Sequence, residues 1–361
     1  MGQQYELDLR AREAGLEVHL ARNVPALLAF EPDAGKTGLK PRSQKAQPSL
    51  VPSDAIAFDA FRLTLVQCRW HIAANMMATA EGREPEALHQ LRVALRRLRV
   101  ALASFGGEFR TPQLEAIKLR AKFLAEQLAP ARDLDVFLTE LFEPAASANG
   151  SRDAFAILRA RAEAARRRAW NDAAQQVMGP RFRMFMADLV DAIDRGVWPL
   201  AEAQHRGASK GLVALQMPAR DLAGRMLTHR RRQACKRAKG LDSLSDAGRH
   251  ELRISLKKLR YTAEFFAPFF DRPRVQKFVS RLSRMQDVLG ALNDVAVARE
   301  ILESLVSTDG PGGTGHSDLS FAAGIVYGWH LERAAHAWQD AVARWKNFAD
   351  AGVFWNAAAQ Q

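Results

Sequence analysis

Cysteine is scarce: the 361-residue chain has two, Cys68 and Cys235. Far apart and outside any Cys-x-x-Cys pair, they exclude a disulfide framework and a cysteine-rich zinc site and read as two small buried side chains. Long apolar runs are absent as well. The longest stretch without Asp, Glu, Lys or Arg is the 13 residues Leu319 to Leu331, short of the roughly 18 to 20 needed to cross a bilayer. Glu6, Asp8, Arg10 and Arg12 break up any apolar segment at the N-terminus, so no secretory signal is expected and the chain reads as cytoplasmic, with no membrane partner. The nine histidines include no His-x-x-x-His or His-Glu-x-x-His pair, and neither a metal nor a cofactor is expected. Alternating β-branched residues are few, so strands are not expected either.

What remains is a chain long enough for about two units with a buried core, rich in Ala, Leu, Arg, Glu and Gln at helical spacing. Its 52 Lys and Arg against 40 Asp and Glu give a formal charge of +12, the signature of an anionic partner of unspecified kind. Four stretches rich in Gly, Pro or Ser read as breaks: 31–53 as a linker, 143–152 and 307–318 as loops, and 196–220 as a junction between halves. The expected organisation is an extension and linker over 1–53, a helical body over 54–348 and a tail over 349–361. The body divides into repeats of about 54–195 and 220–348.

The repeat is explicit. Residues 89–99 read HQLRVALRRLR and residues 250–260 read HELRISLKKLR, an offset of 161. The same offset relates Leu128, Asp133 and Val136 of LAPARDLDV to Leu289, Asp294 and Val297 of LGALNDVAV, so that His89 to Asp133 and His250 to Asp294 both span 44 residues. An unchanged spacing through two helices and a turn implies duplicated helical units.

On a helical wheel with His89 at zero, Arg92, Arg96 and Arg99 fall at about −60°, −20° and −80°, an arc of roughly 80° along about 15 Å of axis. His250, Arg253, Lys257 and Arg260 repeat it. Leu91, Leu95, Leu98 and Leu102 form an apolar stripe at about 180° to 240° that must face a core. Arg97 and Lys258 point away from the arc and are less certain members. Like charges at helical spacing repel, yet no Asp or Glu lies between residues 87 and 107. A solvated face accounts for one such helix; two copies in register point to a basic groove or channel between the halves. Further basic positions are Arg225, Arg230, Arg231, Arg232 and Lys236 within 222–241, Arg120 and Lys122 with Arg281 matching Arg120, and the run from Arg159 to Arg168. Arginine suits phosphate because its planar fork holds two oxygens and stays charged, whereas a neutral histidine can donate one hydrogen bond and take up a proton beside an anion.

With HQLRVALRRLR and Phe105, HELRISLKKLRY with Phe265 and Phe266, and the segments ARDLDV and LGALNDVAVA, the chain resembles the CHAD family of helical inorganic-polyphosphate binders over about residues 54–348. The resemblance implies an all-α fold of two pseudo-twofold-related bundles, duplicated four-helix-type units, with basic side chains converging on a central channel. It carries over to His89, Arg92, Arg96 and Arg99 and to His250, Arg253, Lys257 and Arg260, and less securely to Arg120, Lys122 and Arg281; Arg97, Lys258, Arg225, Arg232 and Lys236 rank below these. It implies turns at ARDLDV and LGALNDVAVA, the first altered where Ala129–Pro130 replaces a Leu–Gly pair like Leu289–Gly290. Residues 1–48 resemble weakly the tail of a CYTH triphosphate-processing domain, without its Glu-x-Glu-x-Lys signature, and are expected to be a short element on the bundle. The resulting expectation is a non-enzymatic polyphosphate binder, associated with the cytoplasm or polyphosphate granules. A nucleic-acid binder would interleave stacking aromatics with the arcs, which carry none. A histidine phosphotransfer protein or enzyme would need a base spaced to act with His89.

Overall fold

The computed structural model describes residues 42–109, 111–150, 153–195, 216–307, 316–349 and 352–355. The expectations for residues 1–41, for most of the junction 196–220 and of the loop 307–318, and for most of the tail 349–361 lie outside them. The described residues are helical, with an isolated bridge between Ile56 and Pro218 and no strand. The helices are α1 Ala57–Ala80, α2 Pro85–Phe109, α3 Pro112–Gln127, α4 Ala129–Val136, a π-helical segment Phe137–Phe142, α5 Glu143–Ala148, α6 Asp153–Met178, α7 Pro180–Arg195, α8 Ala219–Arg237, α9 Asp246–Phe265, α10 Arg272–Val306 and α11 His316–Ala349.

The order repeats along the chain. At an offset of 161, α1 corresponds to α8, α2 to α9, α3 and α4 together to α10, and α6 and α7 together to α11. The first copy is divided twice where the second runs straight, each time at a proline. At Leu128 the helix breaks because Pro130 has no N–H to give and its ring clashes with the preceding turn. Gly179 precedes Pro180, and a Cβ there would sit 2.9 Å from the Gln175 carbonyl oxygen. Helix α10 meets no proline in its interior and passes through Leu289–Gly290 unbroken.

Three expectations change accordingly. ARDLDV and LGALNDVAVA lie within helices instead of turns. EPAASA, expected as a loop, is α5. Residues 42–53 are held against α1 and α2 instead of forming a loose linker. The Ser43 N–H and hydroxyl donate to Glu84 at 2.9 and 2.8 Å, and Gln44 exchanges two 2.9 Å bonds with Asn75.

The apolar stripes face inward as expected, with Leu91, Leu95 and Leu98 and their counterparts Leu252, Leu256 and Leu259 fully buried. They feed three apolar clusters. One fills the first half and draws in Tyr261, Phe265 and Phe266 from the end of α9; one fills the second half; the third joins the π-helical segment and α5 to the far ends of α10 and α11. Helices α2 and α9 pack together along their C-terminal portions, where Phe105 stacks on Phe61 at 4.6 Å and meets Phe266 at 5.4 Å. Arg230 of α8 adds a polar tie, donating to the Ala103 carbonyl and Ser104 hydroxyl at 3.2 Å. Removing the Phe105 ring deletes the centre of this seam. Phe105→Ala is expected to destabilise the protein by about 3–5 kcal/mol, read as a lower urea midpoint; an unchanged midpoint would place the seam elsewhere.

Candidate functional site

A cleft of about 960 Å³ opens between the two copies, lined from α2 by His89, Val93 and Arg96, from α9 by Lys257, Arg260 and Tyr261, from α10 by Gln286, Asp287, Gly290 and Asp294, and from α11 by His330, Arg333 and His336. Helix packing sets the convergence. With the leucine stripes of α2 and α9 turned to their cores, the opposite faces of both helices border one space.

Of the eight arc residues, His89, Arg96, Lys257 and Arg260 line this cleft. Arg92 and Arg253 are not among the lining residues; they interact electrostatically with Arg96 and are anchored, Arg92 to the Ala125 carbonyl at 2.6 Å and Arg253 to the Asn293 amide oxygen at 3.0 Å. Arg99 faces Glu126 and Lys258. His250 departs from the expectation: it lies in the first turns of α9 with its side chain exposed and is not among the lining residues.

The more peripheral candidates are spread over the scaffold. Arg120 pairs with Asp188 and Lys122 with Glu126, while Arg281 borders a separate cleft with Arg284 and Arg344. Arg97 pairs with Glu264 and sits over the Tyr261 and Phe265 rings, a tie between the copies. Arg225 donates to the Met217 sulfur, Arg232 borders a small cleft with Cys235 and Trp355, and Lys236 is exposed. The run after residue 158 is likewise spent on structure: Arg159 on Glu143, Arg161 on the Leu305 carbonyl and Arg166 on the buried Asp135 carboxylate.

Several site residues were not singled out from sequence. Gln286 is 5% exposed and neither polar atom of its amide finds a protein partner, nor does the Arg253 Nε atom, whereas Arg260 Nε faces the Glu264 carboxylate at 3.3 Å. Arg132, Asp133 and Asp294 join the charge field, and α11 contributes Arg333 and two histidines. For Asp133 and Asp294 the signal was present in their shared 161 offset; for α11 no repeated motif marked it.

Burial and like charge act together on the bases. Burial, then Arg96 and Arg253, push the Lys257 ammonium down to about 6. Burial, then Arg132, take His89 down to about 4 against the pull of Glu86. Burial lowers Arg92 to about 10, with Asp133 opposing, which leaves it charged in neutral solution. Burial raises both Asp133 and Asp294; the nearby Arg92 and Arg253 respectively pull them back down. The arrangement offers fixed cations, unpaired donors and two bases able to gain a proton beside an anion. Tyr261, the aromatic of this wall, is buried, with Arg260 over its ring at 5.2 Å, and leaves no face for a base to stack on.

The sequence profile of the CHAD domain matches residues 64–303. The chain belongs to the CHAD family. Among solved structures, the CHAD domain from the plant Ricinus communis is similar at 27% identity, with a TM-score of 0.72, covering 87% of this chain and 98% of that one. PptA from Streptomyces chartreusis shares the fold at 19% identity and a TM-score of 0.57, covering 81% of this chain and all of that one. No curated protein matches the chain. The all-α CHAD fold is thereby established, and no described helix is long and apolar enough to cross a membrane.

The depressed bases make stability of the empty CHAD cleft depend on pH. From about 6 up to the ordinary lysine value of 10.5, the unfolded chain holds a proton at Lys257 that the folded chain lacks, so this group makes stability rise with pH across that window. His89 acts with the same sign between about 4 and 6.5, and the raised carboxylates with the opposite sign in the acid range above 3.8. Thermal melting without ligand is expected to climb from about pH 6 to about pH 9. Lys257→Met should melt above wild type at the lower pH and lose most of the climb; an undiminished climb in that variant would assign the effect to other groups.

Proposed function

We propose that this CHAD protein binds inorganic polyphosphate in the cleft between α2, α9, α10 and α11, as a non-enzymatic module able to dock on free polymer or on polyphosphate granules. The observation that carries the reading is the convergence of His89 and Arg96 from one copy with Lys257 and Arg260 from the other on one cleft. A long flexible polyanion satisfies both walls at once and gains a charge-assisted contact with each repeat unit. Membership of the CHAD family supports the same substrate class. The helix order repeated at an offset of 161 supports the pseudo-twofold arrangement of the two halves, over about residues 54–348.

Nucleic acid fits less well, because the cleft combines arginines with a buried tyrosine and no stacking platform. A phosphotransfer role for His89 is disfavoured by its surroundings: Arg132, Arg96 and Arg92 are its charged neighbours, and Glu86 is the carboxylate among them, on its own helix and not positioned as a relay.

Competition binding decides between the polyanions. Long-chain polyphosphate is expected to stay bound against a large mass excess of RNA, with affinity falling as salt rises; equal displacement by RNA would overturn the reading. Arg92→Ala with Arg96→Ala should weaken binding as much as Arg253→Ala with Lys257→Ala, on the order of 10- to 100-fold each, from two charge-assisted contacts. His89→Gln should weaken it and His250→Gln should not. Loss from one wall alone would make the other wall scaffold.

A further inference from the structure

We infer that Gln286 is a specificity-determining contact in the floor of the cleft: its amide turns to donate to an oxygen of the bound phosphate chain, and so rewards an anion slim enough to reach it. The inference rests on the polyphosphate reading above and adds an uncharged residue to it. Gln286 lines the cleft from α10, is 5% exposed, and leaves both amide atoms, Oε1 and Nε2, without a protein partner. A buried amide in that state is destabilising, because its water has been lost and no hydrogen bond replaces it. The needs of packing do not account for it. At the offset of 161 the counterpart of Gln286 is Ala125, which packs against the first apolar cluster, so the fold accepts an apolar side chain at this position.

The approach to the amide is open. Gly290, one turn further along α10, also lines the cleft. Side chains on a helix lean toward its N-terminus, so a side chain at 290 would lie over the turn that holds Gln286. A Cβ at Gly290 would meet nothing within 4 Å, so sterics do not demand the glycine, yet its bareness leaves the amide uncovered. Because the amide gives up no hydrogen bond when it turns, rotation between its side-chain rotamers costs little. Arg96, Lys257, Arg260 and Arg333 of the same cleft attract every polyanion alike. A hydrogen bond at the floor is short-ranged and directional. A bare phosphate chain brings an oxygen that deep, whereas RNA, with a ribose between successive phosphates, is held at the rim.

Titration of the full chain with long-chain polyphosphate and, at low salt, with RNA tests this, using Gln286→Met, which keeps the length of the side chain and removes both polar atoms. Polyphosphate binding should weaken on the order of tenfold, the loss of one charge-assisted hydrogen bond, and RNA binding should not change. The plot of log affinity for polyphosphate against log salt should move down parallel to wild type, since no charge is removed, whereas Arg96→Ala should flatten it. Without ligand, Gln286→Met should melt at or above the wild-type temperature, because a buried amide without a partner is gone. Unchanged polyphosphate affinity would overturn the inference, as would an equal loss for RNA. So would a lower melting temperature or a failure to fold, either of which would make the amide a structural group. Failure of wild type to bind long-chain polyphosphate would instead remove the functional reading.

Discussion

Crowding like charges into a half-buried cleft is the constraint to which the rest of this fold answers. Arg92, Arg96, Arg132, Arg253 and Lys257 act on one another at close range, and a low dielectric magnifies every repulsion among them. Along the arc of the first copy, between residues 87 and 107, the helix holds no acid. Compensation arrives from the next helical segment, at the same sequence distance in both copies. Burial, with like charge behind it, pushes Lys257 and His89 toward their neutral forms. Apolar packing of the leucine stripes and the Phe61–Phe105–Phe266 seam holds the arrangement together against this repulsion.

Net charge overstates the charge gathered at the cleft. Much of the +12 resides in arginines that tie helices together: Arg97 to Glu264 across the copies, Arg166 to the buried Asp135, Arg231 to the Ala349 carbonyl. Arginine can do this because its long apolar stem packs while its fork reaches a distant acceptor. The same residue type therefore serves scaffold and cleft, and composition does not separate the two uses.

Helix type, the buried stripes and the duplication were legible because each depends on periodicity within a segment. The convergence of Arg96 and Lys257 was legible for a related reason, since a stripe that must face a core fixes where the opposite face points. What a wheel does not contain is the position of the neighbouring helix. His250 has the same phase on α9 as His89 on α2, yet one is exposed and the other half-buried in the cleft. Arg120 and Arg281 share a repeat position too, but Arg120 meets Asp188 on α7, whereas α11 presents Asp340 and Arg344 near Arg281. The turn at LGALNDVAVA was implied by the family resemblance, yet α10 runs straight through Leu289–Gly290, because a lone glycine without other turn residues does not end a helix.

The unbroken α10 also acts as a lever. Its 35 residues make a rod of about 50 Å, seated at one end in the second-half cluster through Val275 and Phe278 and at the other in the third cluster through Leu302 and Leu305, with Asp294 and Gln286 between. A close-packed interior transmits displacement instead of absorbing it, so a cavity opened at Leu302 tilts the cleft wall several turns away. Where the first copy is jointed at Pro130, such a tilt has a place to dissipate. A change at the cleft in a variant of α10 thus reports on the seating of the rod as much as on the substituted side chain.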